Sequence, residues 1–348
     1  MDNSTQNNQT SEQVFSLTKL QELFGNYLIS EQFYIYGIGP FGLLGLVLNL
    51  ISLITFKKRG LANKSIFDFI RYYLYSSIIL CFIFFISTFY VSPTFFKFAD
   101  TIEAKIINIR ISFPLFSVVY FYNCFLDLFI NIERASQFLP KLNFINKFSH
   151  FKISVGLFLT SLLLNSSYFL VYTPAVYELP ISANSTLKIF YLDLSSYGRS
   201  QLGQINILVI YALRDIITLF IGLGFNLTTI VLLRSFLHKK RALNVVSVLG
   251  AKHVNLKVNY MVITMSLLAS LEHFLFLLTY LYYYLSNDNS YVSNVLNMVS
   301  LSFILFKQFS NFFIFLIFNK IFRCEFLNLV LRKNVSVPLN TSTRNYHT

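Results

Sequence analysis

Charged side chains are scarce in this sequence, and several of them stand inside long apolar runs. Asp127 lies within the run that begins near Ile106, and Glu133 and Arg134 close it. Arg214 and Asp215 interrupt a second run, Glu272 and His273 a third, and Lys307 a fourth. A charge in an apolar helix is costly, so such residues pair with one another, line an aqueous path or form a binding site. Hydrolytic chemistry is not on offer. The runs hold no nucleophile–base arrangement and no paired metal-ligand histidines. No enzyme, metal or cofactor is therefore expected. Ion pairing between helices is the chemistry these residue types do support. Arg214 could also contact a ligand carboxylate or amide.

The elements that must position these residues follow from composition. The chain has 348 residues, 55% hydrophobic and 12% charged, with a mean hydropathy of +0.59. A soluble domain carries roughly a quarter charged residues, so the profile is that of a polytopic membrane protein. Seven apolar stretches, at 33–56, 66–91, 107–133, 152–174, 204–233, 257–285 and 293–319, are each long enough to cross hydrocarbon as a helix. The fold class is thus all-α, a seven-transmembrane helix bundle. The halves do not echo each other, which counts against inverted-repeat transporters. Of the three cysteines, Cys81, Cys124 and Cys324, no pair is placed for an extracellular disulfide. The amino-terminal segment lacks the basic start and apolar core of a signal peptide.

Lys and Arg set the direction of threading. Lys57, Lys58, Arg59 and Lys64 follow the first span, Arg134, Lys141, Lys147 and Lys152 the third, and Arg234, Lys239, Lys240, Arg241, Lys252 and Lys257 the fifth. The tail adds Lys320, Arg323, Arg332, Lys333 and Arg344. All fall on one side. The positive-inside rule puts that side in the cytosol and the amino terminus outside, as expected for the plasma membrane. The net charge of +13 reports this sidedness, together with attraction to anionic lipid, and not a nucleic-acid partner.

Three short motifs in this topology resemble those of rhodopsin-like (class A) G-protein-coupled receptors. Glu133-Arg134-Ala135 stands where that family has Asp/Glu-Arg-Tyr. Asn311, Phe315, Asn319, Phe322 and Arg323 keep the spacing of its span-seven motif, with Phe312 for the proline and Phe315 for the tyrosine. Asn49 matches the buried asparagine of span one. The resemblance covers roughly residues 33 to 332. It implies an extracellular ligand, peptide or small molecule, and a heterotrimeric G protein. Glu133, Arg134, Asn311 and Phe315 would serve coupling and activation, with Arg134 held by its neighbouring acid at rest. The departures are as specific. The chain has no tryptophan, so the span-four Trp and the span-six switch are missing, as are the span-five proline and the usual extracellular disulfide. Such divergence is found among invertebrate orphan, chemosensory or neuropeptide-like receptors.

Asp127 lies about two helical turns before Arg134 and so shares its face; Asn123 continues that face. Ser77 falls where the family has the aspartate that helps bind sodium. Lys307 is one turn before Asn311. A buried ammonium needs an anion, and Asp127 and Glu272 are the candidates. The expectation is an interhelical ion pair in place of the sodium site, with Asn49, Ser77, Asn123 and Asn311 completing a buried polar network. An unpaired, snorkelling Lys307 is the alternative.

At the outer end, Arg110, Tyr120, Arg214, Asp215, His273 and Tyr280 are candidate ligand-binding residues. Arg214 and Asp215 could equally stabilise the bundle, since helical neighbours point about 100° apart. In the long loop 175–203, "LKIFYLDL" alternates as one strand of a hairpin would. The segment 320–332 reads as an amphipathic helix on the inner leaflet, with Cys324 a palmitoylation candidate. Asn3, Asn8 and Asn184 are candidate glycan sites. The division is then an extracellular segment 1–32, a bundle 33–319, the surface helix 320–332 and a cytosolic tail 333–348. A ligand-gated channel or transporter, with charged residues along a translocation path, is the other function these features allow.

Overall fold

The structure is a computed structural model and describes residues 29, 31–58, 61, 67–92, 96–136, 138–139, 148–182, 185–242, 256–286 and 291–331. Among these, seven helices are long and apolar enough to cross a membrane: α1 (Glu31–Phe56), α2 (Asp68–Val91), α3 (Ile102–Ser136), α4 (His150–Val171), α5 (Gln201–Ser235), α6 (Lys257–Tyr282) and α7 (Val292–Phe318). Hydrocarbon offers no water to backbone N–H and C=O groups, so each segment satisfies them internally as a helix. An eighth helix, α8 (Lys320–Leu331), follows directly.

Two of the boundaries that differ from the hydropathy reading have a visible cause. α3 starts at Ile102 and not near 107, because the Thr101 hydroxyl caps it, accepting from Ala104 N at 3.2 Å. α4 stops at Val171 and not at 174, because Tyr172 opens a strand. Strand β1 (Tyr172–Ser182) pairs antiparallel with β2 (Ser185–Leu194), Tyr172 opposite Leu194 and Tyr177 opposite Ile189. The register slips between Pro180 and Ser182, where proline has no N–H to give the ladder. β2 contains the alternating stretch singled out in the sequence. Among the described residues the bundle therefore carries one β-hairpin on otherwise helical architecture. Its root is tied without a disulfide. Ser195 N donates to Val171 O at 2.8 Å, and the chain then passes so close that a Cβ on Gly198 would lie 2.3 Å from that same oxygen.

α3 is the central element. It contacts α2, α4, α5 and α6, while α7 closes the ring onto α1. Its apolar window is 61% buried against 22% for α4, which lies at the periphery. α1 and α2 approach through glycines. A Cβ on Gly42 would fall 2.9 Å from Phe85 N and 3.1 Å from Cys81 O, backbone atoms that cannot turn aside, so glycine is required for this approach. At the end opposite the hairpin, Phe56, Phe315 and Phe322 form an aromatic core, with ring centroids 5.0 to 5.5 Å apart. Phe322 belongs to α8, and Phe326 one turn on packs on Phe312 at 5.2 Å. The two phenylalanines that replace the family's proline and tyrosine thus hold α8 against the bundle. Without the proline, α7 runs unbroken from Tyr291 to Phe318.

Candidate functional site

A cavity of about 310 Å³ opens at the hairpin end. Three π-helical turns border it: Tyr34–Ile38 in α1, Asn108–Ser112 in α3 and Ala212–Ile217 in α5. Each contributes lining side chains, Tyr34 from the first, Asn108 and Ser112 from the second, and Arg214 from the third. π turns are rare, cost regular hydrogen bonding and concentrate at functional sites. The widened turn is visible in backbone bonds that reach five residues back, from Gly39 N–H to Tyr34 O in α1 and from Phe113 N–H to Asn108 O in α3.

Arg214 is the charged residue of this cavity. Its Nε and Nη2 donate to the Asp215 carboxylate at 2.7 to 3.2 Å, and Nη2 also reaches Tyr280 Oη. The rings of Tyr120, Tyr211, Phe276 and Tyr280 surround the guanidinium, at 4.9 to 5.9 Å from its carbon. Asp215 in turn lies 3.1 Å from His273 Nδ1 on α6. Sequence neighbours thus act together here. In the π turn the long arginine side chain folds back onto the adjacent carboxylate. Cation–π contacts and a charge-assisted fork fix the group.

Farther into the bundle, Lys307 of α7 is 1% exposed and meets two acids. Its Nζ donates to Asp127 Oδ2 of α3 and stands 3.2 Å from Glu272 Oε2 of α6. Neither Glu272 oxygen receives a hydrogen bond among the described residues. The Tyr73 ring lies 5.6 Å from the ammonium. The expected asparagine–serine network is divided into separate links. Asn49 Nδ2 donates to Gly45 O at 2.8 Å, within its own helix, and to Cys81 Sγ at 3.7 Å. Asn123 Nδ2 bonds Ser76 at 2.8 Å and Ser77 at 3.3 Å, and Asn311 Nδ2 bonds Tyr73 Oη at 3.2 Å. No hydrogen bond joins any of these residues to Lys307, whose ammonium donates to Asp127 instead.

At the opposite end of α3, Glu133 and Arg134 are both buried, yet no ion pair joins them. Arg134 Nε and Nη2 have no acceptor among the described residues. Nearby charge is handled by Asp68, which pairs with Arg71 and lies 3.0 Å from His150 Nδ1.

The sequence-derived ligand group divides in three. Arg214 and Tyr280 line the cavity. Tyr120, Asp215 and His273 do not; they are buried behind Arg214 and hold it in place. Arg110 is at the surface, donating to Phe169 O. Cys324 is half-buried in α8, and Asn3, Asn8 and Asn184 lie outside the described residues. One cluster has no counterpart in the sequence reading. Asn131 Nδ2 of α3 and Asn226 Nδ2 of α5 both donate to Ser266 Oγ of α6, at 2.8 and 2.6 Å. Asn131 is four residues after Asp127, a spacing that already places it on the inward face. Among the described residues no group of three or more His, Cys, Asp or Glu is arranged to hold a metal ion.

Seven apolar helices around a central α3, with a helix after the last, define a multi-pass membrane protein of the rhodopsin-like seven-helix fold. Squid rhodopsin is similar to this chain in structure, with a TM-score of 0.59 and 16% identity over 88% of this chain and 86% of that one. No family model matches the sequence, and no curated protein matches it.

Proposed function

We propose that this chain is a G-protein-coupled receptor, with its amino terminus outside and α8 on the cytosolic leaflet of the plasma membrane. A ligand enters the hairpin-end cavity, and a heterotrimeric G protein engages the opposite end beside Glu133 and Arg134. The observation that carries this reading is the pairing of two unlike ends on one fold. One end holds a walled cavity with a single arginine. The other ends α3 in a buried arginine whose Nε and Nη2 have no acceptor among the described residues. A guanidinium with free N–H groups at a helix end suits an incoming backbone carbonyl, which would satisfy donors that otherwise cost about 1–3 kcal/mol unpaired. Asn311 and Phe315, beside the α8 docking core, would transmit movement of α7. Lipid contacts α8 and would hold a palmitate on Cys324.

The test is nucleotide exchange on a panel of G proteins with the reconstituted protein. Exchange above background that disappears in Arg134→Ala is expected. Equal exchange in that variant would remove Arg134 from the coupling end, and ion current with no exchange would reject the receptor in favour of a channel.

A further inference from the structure

We propose that the hairpin-end cavity is a carboxylate-recognition site, in which Arg214 Nη1 and the Tyr280 hydroxyl together receive the acid group of the ligand. The proposal deepens the receptor reading and rests on it for the cavity's role as the ligand site.

The first argument is charge. Arg214 is the only charged side chain lining the cavity among the described residues, and no carboxylate lines it. A ligand amine would enter a site with a cation and no anion, giving up its hydration for nothing. Asp215 cannot serve it, because that side chain is 1% exposed and both of its oxygens are engaged by Arg214 and His273.

The second argument is donor accounting. Of the guanidinium nitrogens, Nε and Nη2 are committed to Asp215 and Tyr280, while Nη1 has no acceptor among the described residues. Tyr280 Oη accepts from Nη2, so its own proton is left to donate. Two unspent donors therefore stand side by side on the wall of one cavity. A carboxylate accepts two such bonds and adds charge assistance. A neutral amide accepts them without it.

The third argument is preorganisation. The guanidinium is boxed by four rings and anchored by Asp215, so its rotamer entropy is spent before a ligand arrives. The remaining wall is largely aromatic, including Phe113, Phe116, Tyr168 and Phe276. At about 310 Å³ the cavity is at the small end of ligand sites. It fits an acid on an aromatic or apolar body. That body is either a free small molecule or the last residue of a peptide that enters carboxyl end first.

The experiment uses the purified full-length protein, read by ligand-induced thermal stabilisation and direct binding. One arm is a library of matched triplets, the same one- or two-ring aromatic body carrying an acid, a primary amide or an amine. The other arm is short peptides ending in Phe, Tyr or Leu, each as free acid and as C-terminal amide. Acids are expected to bind roughly 10- to 100-fold more tightly than their amides, and amines not at all. Arg214→Gln should remove acid binding. Tyr280→Phe, which leaves the Arg214–Asp215 pair intact, should weaken it several-fold and guards against a folding failure in the first variant. Binding confined to one arm supports the proposal and names the source. Equal binding of acid and amide, indifference to Tyr280→Phe, or no acid bound in either arm overturns it. Nucleotide exchange on the same preparation separates the two ideas. Acid binding without exchange leaves this site standing and removes the receptor, and exchange without acid binding does the reverse.

Discussion

Neutralising Lys307 should destabilise this protein more than neutralising Asp127, although the two are hydrogen-bonded to each other. The reason is the third member. Lys307 stands 3.2 Å from Glu272, a gross attraction of about 5 kcal/mol at an effective dielectric of about 20. Asp127→Asn therefore leaves the ammonium an anion, and the amide oxygen can still accept from it, so the expected loss is about 1–2 kcal/mol. Lys307→Met leaves two buried carboxylates facing each other with no cation, and the expected loss is about 3–5 kcal/mol. Lys307→Met with Asp127→Asn should fall short of the sum by about 1–3 kcal/mol, and adding Glu272→Gln should recover more. Unfolding can be followed with a thiol-reactive dye in a Cys324→Ser background, since Cys81 and Cys124 are buried until the bundle opens. Two results would refute the reasoning: strict additivity of the single changes, or Asp127→Asn costing as much as Lys307→Met.

Phe322→Ala should detach α8, because that ring is fully buried between Phe56 and Phe315. The expected cost is about 3–5 kcal/mol, with faster proteolysis after Asn319 as the local readout, and unchanged proteolysis there would contradict the packing. At the hairpin root, the Arg199 guanidinium and the Leu194 N–H hold the Asp193 carboxyl below the ordinary range. A folded pKa below the unfolded one means this anchoring is complete above the unfolded value of 3.8 and fades only as pH falls through the lower, folded one. Leu194 amide exchange should thus show the same protection at pH 5 and 7, and Asp193→Asn should raise it at both.

The spans were legible because burial in hydrocarbon demands about twenty apolar residues whatever the tertiary partners. That Lys307 needed an anion was also legible. Which anion was not, since Asp127 and Glu272 lie on different helices and the sequence contains no inter-helix distances; the ammonium stands between both. The Arg214–Asp215 fork was hidden for another reason. It depends on a π turn, and "ALRDII" has neither proline nor glycine to announce one. The Asn131–Ser266–Asn226 contact escaped notice because uncharged polar residues give a weak signal in a chain so rich in asparagine.

The two charged groups are joined through α6. Glu272 faces Lys307 and its neighbour His273 faces Asp215, so one turn of one helix touches both. His273 and Asp127 also border a small pocket between α3, α5 and α6, of about 10 Å³, room for about one water. The two groups together hold three acids, Asp127, Asp215 and Glu272, and two permanent cations, Arg214 and Lys307. The acid proposed to bind at Arg214 would add negative charge at one end of this set, and α6 is the element whose adjacent side chains reach both ends. Any displacement of Arg214 must be answered by Asp215 and His273. It therefore bears on α6 directly, without passing through the apolar packing that surrounds it.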